Sequence, residues 1–210
     1  MDVSAEGLQL WCGQRHLIRD LSLQISSGQS WAITGPSGVG KSSLLHLLAG
    51  WMSPDDGSVF WGTRDVFRLR QTQRDALRRD CIGTLFQRPH LHPQLNIWDN
   101  ICLGDAFTAI ACDQDRAHRL CQRCGLEDIL HVAGKDISGG QLVRCGLVRA
   151  LVHKPAILIA DEPTATLDVG SATQVTDLLL ALTREEHTTV ILATHDAHLA
   201  ARCDGTLELT

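Results

Sequence analysis

Gly35-Pro36-Ser37-Gly38-Val39-Gly40-Lys41-Ser42 fits the pattern G-x-x-x-x-G-K-[ST]. The apolar residues Trp31-Ala32-Ile33 before it read as a strand, and Ser43-Leu44-Leu45-His46-Leu47-Leu48-Ala49 after it as a helix. In that setting the glycines let successive backbone N–H groups turn inward around a polyphosphate. The helix N-terminus adds about half a positive charge at the same point. Lys41 is placed to reach the β- and γ-phosphates, and the Ser42 hydroxyl to ligate Mg²⁺. The plainer alternative, a glycine-rich turn before an ordinary helix, is weakened by the strand and helix on either side. The stretch implies a bound nucleoside triphosphate.

Composition is compatible with that. The chain has 210 residues, 44% hydrophobic and 20% charged, enough for one domain with a real core. Its net charge is −5 and no basic cluster stands out, which disfavours nucleic acid as the main partner. No apolar run approaches the roughly 20 residues that cross a bilayer, and Met1-Asp2-Val3-Ser4 does not open a signal peptide, so a cytosolic location is expected. Eight cysteines are scattered along the chain. Cys121 and Cys124 have metal or redox spacing, but they lack a second pair. On a helix they share a face, so reduced, partly buried thiols are the expectation.

Away from the loop, Leu8 to Ile25 alternates like paired strands, and Gly57 to Gly62 reads as another strand after the turn Pro54-Asp55-Asp56-Gly57. Helical spacing runs from Arg116 to Leu130 and again from Ala172 to Leu182. Ala156 to Ala160 and Thr189 to Ala193 are short, continuously apolar runs, as central strands of a parallel sheet covered on both faces should be. The pattern predicts an α/β nucleotide-binding core, approximately residues 1–87 and 155–210, interrupted by a helical insertion over 88–154.

Two further motifs carry chemistry. Asp161-Glu162 directly follows the run ending at Ala160. Adjacent carboxylates at a buried strand end are unfavourable unless compensated, and a bound cation compensates them. This assigns Asp161 to the Mg²⁺ shell and Glu162 to accepting a proton from the attacking water. Ser138-Gly139-Gly140-Gln141 reads as a capped helix start, with Ser138 as N-cap and two glycines that admit a phosphate.

Ile137-Ser138-Gly139-Gly140-Gln141, with Arg144 three residues on, resembles the signature of ATP-binding cassette (ABC) proteins, and the rest of the chain falls into register with that family. The resemblance implies a P-loop NTPase (RecA-like) core with a parallel central sheet, an antiparallel β subdomain and an inserted α-helical subdomain. It makes residues 35–43, including Pro36, Val39 and Ser43, the ATP-binding loop. Gln87 becomes the glutamine that contacts Mg²⁺ and the attacking water, and Asp161 and Glu162 the metal-shell and catalytic acids. Thr166-Leu167-Asp168 becomes the D-loop, and His195 the switch histidine. Trp11 sits where the family has an adenine-stacking tyrosine. Ser43 replaces a usual threonine, Leu142-Val143 a polar pair, and Ala165-Thr166 the commoner D-loop residues.

The family architecture further implies a head-to-tail pair of cassettes. Each ATP is clasped between Lys41, Ser42, Gln87, Asp161, Glu162 and His195 of one subunit and Ser138, Gly139, Gly140 and Gln141 of the other. ATP closes the pair and hydrolysis opens it. A separate membrane permease is expected to dock over Gln87 to Asp105, with Leu91, Leu95, Ile97 and Trp98 either anchoring it or simply packing inside. Leu77-Arg78-Arg79, Ile82-Gly83, Asp161-Glu162-Pro163-Thr164 and Thr194-His195-Asp196 look like the lipoprotein-release and macrolide-export cassettes. That places the chain on the cytoplasmic face of the inner membrane. A solute-importer cassette and a non-transport ABC ATPase are the alternatives.

Overall fold

The computed structural model describes residues 1–106 and 112–210; residues 107–111 of the expected helical insertion and the side chains of Asp105 and Ala106 lie outside the described residues. Its centre is a parallel sheet in the order β6 (Ile82–Leu85), β7 (Ile157–Asp161), β8 (Thr189–Ala193), β3 (Ser30–Thr34) and β9 (Gly205–Glu208). The strands β7 and β8 are the two apolar runs, and their continuous burial follows from helices on both faces. Side-chain alternation divides the core. Ile33, Ile157, Ile159 and Ile191 face one cluster with Leu44, Leu45 and Leu48 of helix α1 (Lys41–Leu48). Leu158, Val190 and Leu192 face the other, with residues of α5 (Gly139–Leu151) and α6 (Val169–Glu185).

A second, antiparallel sheet, in the order β2 (Arg15–Ile25), β1 (Val3–Cys12), β4 (Asp56–Trp61), β5 (Arg64–Asp65), covers the α1 side. Trp61 of β4 is fully buried and donates from Nε1 to Leu48 O at 2.9 Å, satisfying a carbonyl at the end of α1. Helix α2 (Gln71–Cys81) leads into β6.

Between Gln87 and Pro155 the described residues contain helices α3 (Ile97–Ile101), α4 (Gln114–Arg123) and α5, two 3₁₀ turns and one isolated bridge, Asn96–Ala133. The helix expected over Arg116 to Leu130 is shorter. Gly125 takes φ +61°, its N–H donates to Gln122 O, and the N–H of Leu126 donates to Cys121 O. These two bonds close the chain in a Schellman motif, and only a 3₁₀ turn (Glu127–Ile129) follows. Helix α6 runs beyond Ala172 to Leu182 at both ends; it starts early because Asp168 caps it, accepting from Ser171 N at 3.0 Å.

Arg116 of α4 is buried and ties three helices together. Its guanidinium donates to Leu151 O and Val152 O at the end of α5 and pairs with Glu186 at the end of α6, at 2.6 Å. Replacing Arg116 with Ala strands two carbonyls and a carboxylate. Urea unfolding should show a loss of about 3 kcal/mol; a loss within experimental error would mean the clamp contributes nothing.

Candidate nucleotide site

The loop between β3 and α1 folds as a cradle because glycine permits what other residues resist. Gly35, Gly38 and Gly40 have φ of 136°, 76° and 117°, and a Cβ on Gly35 would stand 2.4 Å from Leu209 O. Gly40 caps α1 without any side-chain bond. Among the described residues the N–H groups of Ser37, Gly38, Gly40, Lys41, Ser42 and Ser43 find no acceptor. Orphaned donors converging at a helix N-terminus fit a polyphosphate. Val39 turns the other way, into the core, and Pro36 accepts from Val39 N.

The strand order carries the remaining groups to this loop. Lys41 is buried at 8% exposure, and its ammonium donates to Gly35 O at 2.9 Å and Pro36 O at 3.2 Å. Ser42 Oγ donates to Asp161 Oδ1 at 3.2 Å. A hydroxyl and a carboxylate oxygen so placed are hard oxygen donors, the set a Mg²⁺ ion takes. Glu162, just beyond β7, has φ +47°, rare for a residue with a side chain, and its N–H donates to Ala193 O. That turn sets Glu162 Oε1 4.0 Å from Lys41 Nζ and Oε2 2.7 Å from His195 Nδ1. The His195 N–H donates to Oε2 as well, at 3.3 Å. Lysine, hydroxyl, two carboxylates and imidazole thus meet at the C-terminal edge of β3, β7 and β8, where open α/β sheets bind ligands.

The other expected residues make no hydrogen bond to this group among the described residues. Gln87 is exposed beyond the end of β6 and, among the described residues, bonds neither Ser42 nor Asp161. Trp11 is half exposed and stacks on His16. Ser138 caps α5, and the Gln141 side chain is spent on that cap, accepting from Ser138 N at 2.8 Å. A Cβ on Gly139 or Gly140 would touch Leu167 or Ser171, so the signature lies beside 167–171 and makes no hydrogen bond to residues 35–43. Asp168 caps α6, and hydrogen bonds from Ser171 hold its carboxyl below the usual carboxylate range.

Some residues here carry no sequence signal. Leu17 lines a cleft of about 300 Å³ with Gly38, Gly40, Ser42 and Glu162. Trp51 stacks on Phe86, which leans on His90, and Trp51 and Met52 are exposed beside the turn holding Gln87. Of the expected docking anchors, Ile97 is fully buried, while Leu91 and Trp98 pack on the core. Ile97 is internal packing, because α3 is short and turns that side inward.

The Cys121–Cys124 pair resolves as buried thiols. No cluster of metal-ligating side chains is found among the described residues. Burial pushes the Cys121, Cys124 and Cys145 thiols up to about 12, 11 and 12. Raised pKa values keep the thiolate scarce, so at about pH 8 iodoacetamide should label exposed Cys12 and spare these three until urea unfolds the chain. Labelling of all four at one rate in the folded protein would contradict that burial.

Residues 18–165 match the family described as ABC transporter. The lipoprotein-releasing system ATP-binding protein LolD of Hydrogenovibrio crunogenus is 38% identical over 196 residues, covering 92% of this chain and 85% of that protein. LolD of Legionella pneumophila is 35% identical over 195 residues, covering 92% and 86%. Among solved structures, a dimeric ATP-binding cassette in a post-hydrolysis state bound to ADP and Pi superposes with a TM-score of 0.86 at 29% identity, covering 99% of this chain and 94% of that one. CbiO1 from Clostridium perfringens, part of the CbiONQ ABC transporter complex, gives 0.89 at 27%, covering 99% and 84%. With the cradle, the acid pair and the imidazole gathered on one sheet edge, the chain belongs to the ABC transporter family, as one of its ATP-hydrolysing cassettes.

Proposed function

We propose that this cassette powers a lipoprotein-release system, working as a head-to-tail pair beneath a membrane subunit on the cytoplasmic face of the cell membrane. The observation that carries the catalytic part is the meeting of Lys41, Ser42, Asp161, Glu162 and His195 at the unsatisfied N-terminus of α1. The lipoprotein-release part is supported by relatives that bear that name at 35–38% identity. The peripheral location accords with the described helices, none of which is long and apolar enough to cross a membrane.

In this reading the chain is one cassette domain, its core at 1–87 and 155–210 and its helical subdomain at 88–154. The orphaned N–H groups of residues 37–43 donate to the phosphate oxygens of ATP. The Lys41 ammonium leaves the Gly35 and Pro36 carbonyls for the β- and γ-phosphates. Glu162 takes the proton of the attacking water, and His195 holds its carboxylate in line. Bound Mg²⁺, held by Ser42, Asp161 and Gln87, supplies positive charge against the phosphates. The Trp11 indole stacks on adenine. The far side of each ATP is met by Ser138, Gly139 and Gly140 of a second copy, their N-capped helix aimed at the γ-phosphate, with Asp168 holding the neighbouring turn. This accords with a signature that lies against 167–171 and not against its own phosphate loop. The membrane subunit docks on the exposed Trp51 and Met52 and the half-buried Phe86 beside Gln87.

Replacing Glu162 with Gln should preserve ATP binding, lower turnover at least about 100-fold and accumulate an ATP-bound dimer on size exclusion; wild-type turnover would remove Glu162 from the base role. Replacing Trp51 and Met52 with Ala should leave basal ATPase of the isolated cassette unchanged and abolish co-purification of membrane proteins with the tagged chain from native cells. Unchanged co-purification would place the docking surface elsewhere.

A further inference from the structure

Trp11 lies near the end of β1, and His16 is its direct cross-strand partner on β2, so both side chains leave the same face of the hairpin. Their rings are parallel, with centroids 4.1 Å apart and planes within 5°. That contact covers one face of the indole, yet Trp11 remains 50% exposed. Its exposure therefore belongs to the opposite face and the edge. The hairpin end is also held from the side: the Trp11 N–H donates to Asp55 Oδ2 at 2.6 Å, and the Asp55 N–H to Gln9 O at 2.9 Å. The turn between the strands uses Gly13 at φ +60°.

His16 is the odd member of this arrangement. Its Nε2 atom is buried and has no hydrogen-bond partner among the described residues. Burying a ring nitrogen unpaired is unfavourable. Hydrogen bonding at Nε2 is therefore not what seats the imidazole here; its flat shape against the indole is. The next residue, Leu17, lines the cleft beside the phosphate loop, so β2 runs from the stacked pair straight to the phosphate site.

We infer that His16 is a positioning residue for the base platform: stacked behind Trp11, it holds the indole upright with its open face presented to the purine of ATP. This rests on the reading of Trp11 as the surface on which adenine stacks. An exposed indole without a brace samples several rotamers, and ordering it on binding subtracts from affinity. With His16 behind it, Trp11 is ordered before the nucleotide arrives. The triphosphate end is held by other residues and does not depend on the brace.

Calorimetric titrations with ATP and with inorganic tripolyphosphate, together with steady-state ATPase, on wild type, Trp11→Ala, His16→Ala and His16→Phe test this. His16→Ala should weaken ATP binding and raise KM about three- to tenfold, with kcat and tripolyphosphate affinity retained. His16→Phe puts carbon where the unpaired nitrogen lies and should restore ATP affinity to near wild type. If Trp11→Ala weakens ATP while His16→Ala binds like wild type, the brace is overturned and the platform survives. If Trp11→Ala leaves ATP affinity unchanged, the platform reading itself fails, and the brace with it. Equal weakening of ATP and tripolyphosphate by His16→Ala, or no recovery in His16→Phe, would make His16 a packing residue of the fold.

Discussion

The parallel register of β7, β8 and β3 is the constraint on which the site depends. Asp161 is level with Ala193, and Ala193 with Ile33, so three strand ends finish along one line. Neighbouring strands lie about 4.8 Å apart, which brings the acid pair within one short loop and one helix turn of the phosphate cradle. A slip of one residue in β7 would send the Asp161 side chain to the opposite face of the sheet. The burial of β7 and β8 on both faces forbids that slip, because the strands would exchange their partners in both core clusters at once.

That geometry creates an electrostatic arrangement in which each charge has a local partner. The Lys41 ammonium rests on two loop carbonyls, and the Glu162 carboxylate accepts both from the His195 ring and from its backbone N–H. The groups left without partners are the backbone donors at the start of α1. An anion is what such a site lacks. The left-handed backbone at Glu162 is the visible expense, a turn that costs about 1–3 kcal/mol and is held by the Glu162 N–H bond to Ala193 O.

The helical segment is joined to this edge through α5, a rod capped at one end by Ser138 and Gln141 and clamped at the other by Arg116. Its buried face shares one apolar cluster with α6 and the sheet. The signature glycines therefore move with a rigid element anchored beside the core. They stay next to the cap of α6 and away from the phosphate loop of their own chain.

The features legible in the sequence are those that local backbone physics decides. The strand, cradle and helix around residues 35–42 read correctly, as did the apolar strands ending at Asp161 and Ala193 and the Ser138 cap, because each needs only near neighbours. The end of α4 was missed although Gly125 was in plain view: helical spacing continues past it, and only the Schellman bonds show where the chain turns. Contacts across long separations were out of reach in a stronger sense. Ser42 meets Asp161 across 119 positions, and Glu162 meets His195 across 33. The sequence named Ser42, Asp161 and Glu162 by their chemistry and His195 only through the family resemblance, whereas strand order and register decided that they touch. The same holds for exposure. Ile97 and Trp51 are both apolar side chains near helix ends, yet one is sealed in the core and the other faces water. Hydrophobicity is carried by a residue, while burial depends on which elements the fold lays over it, and that the tertiary structure alone decided.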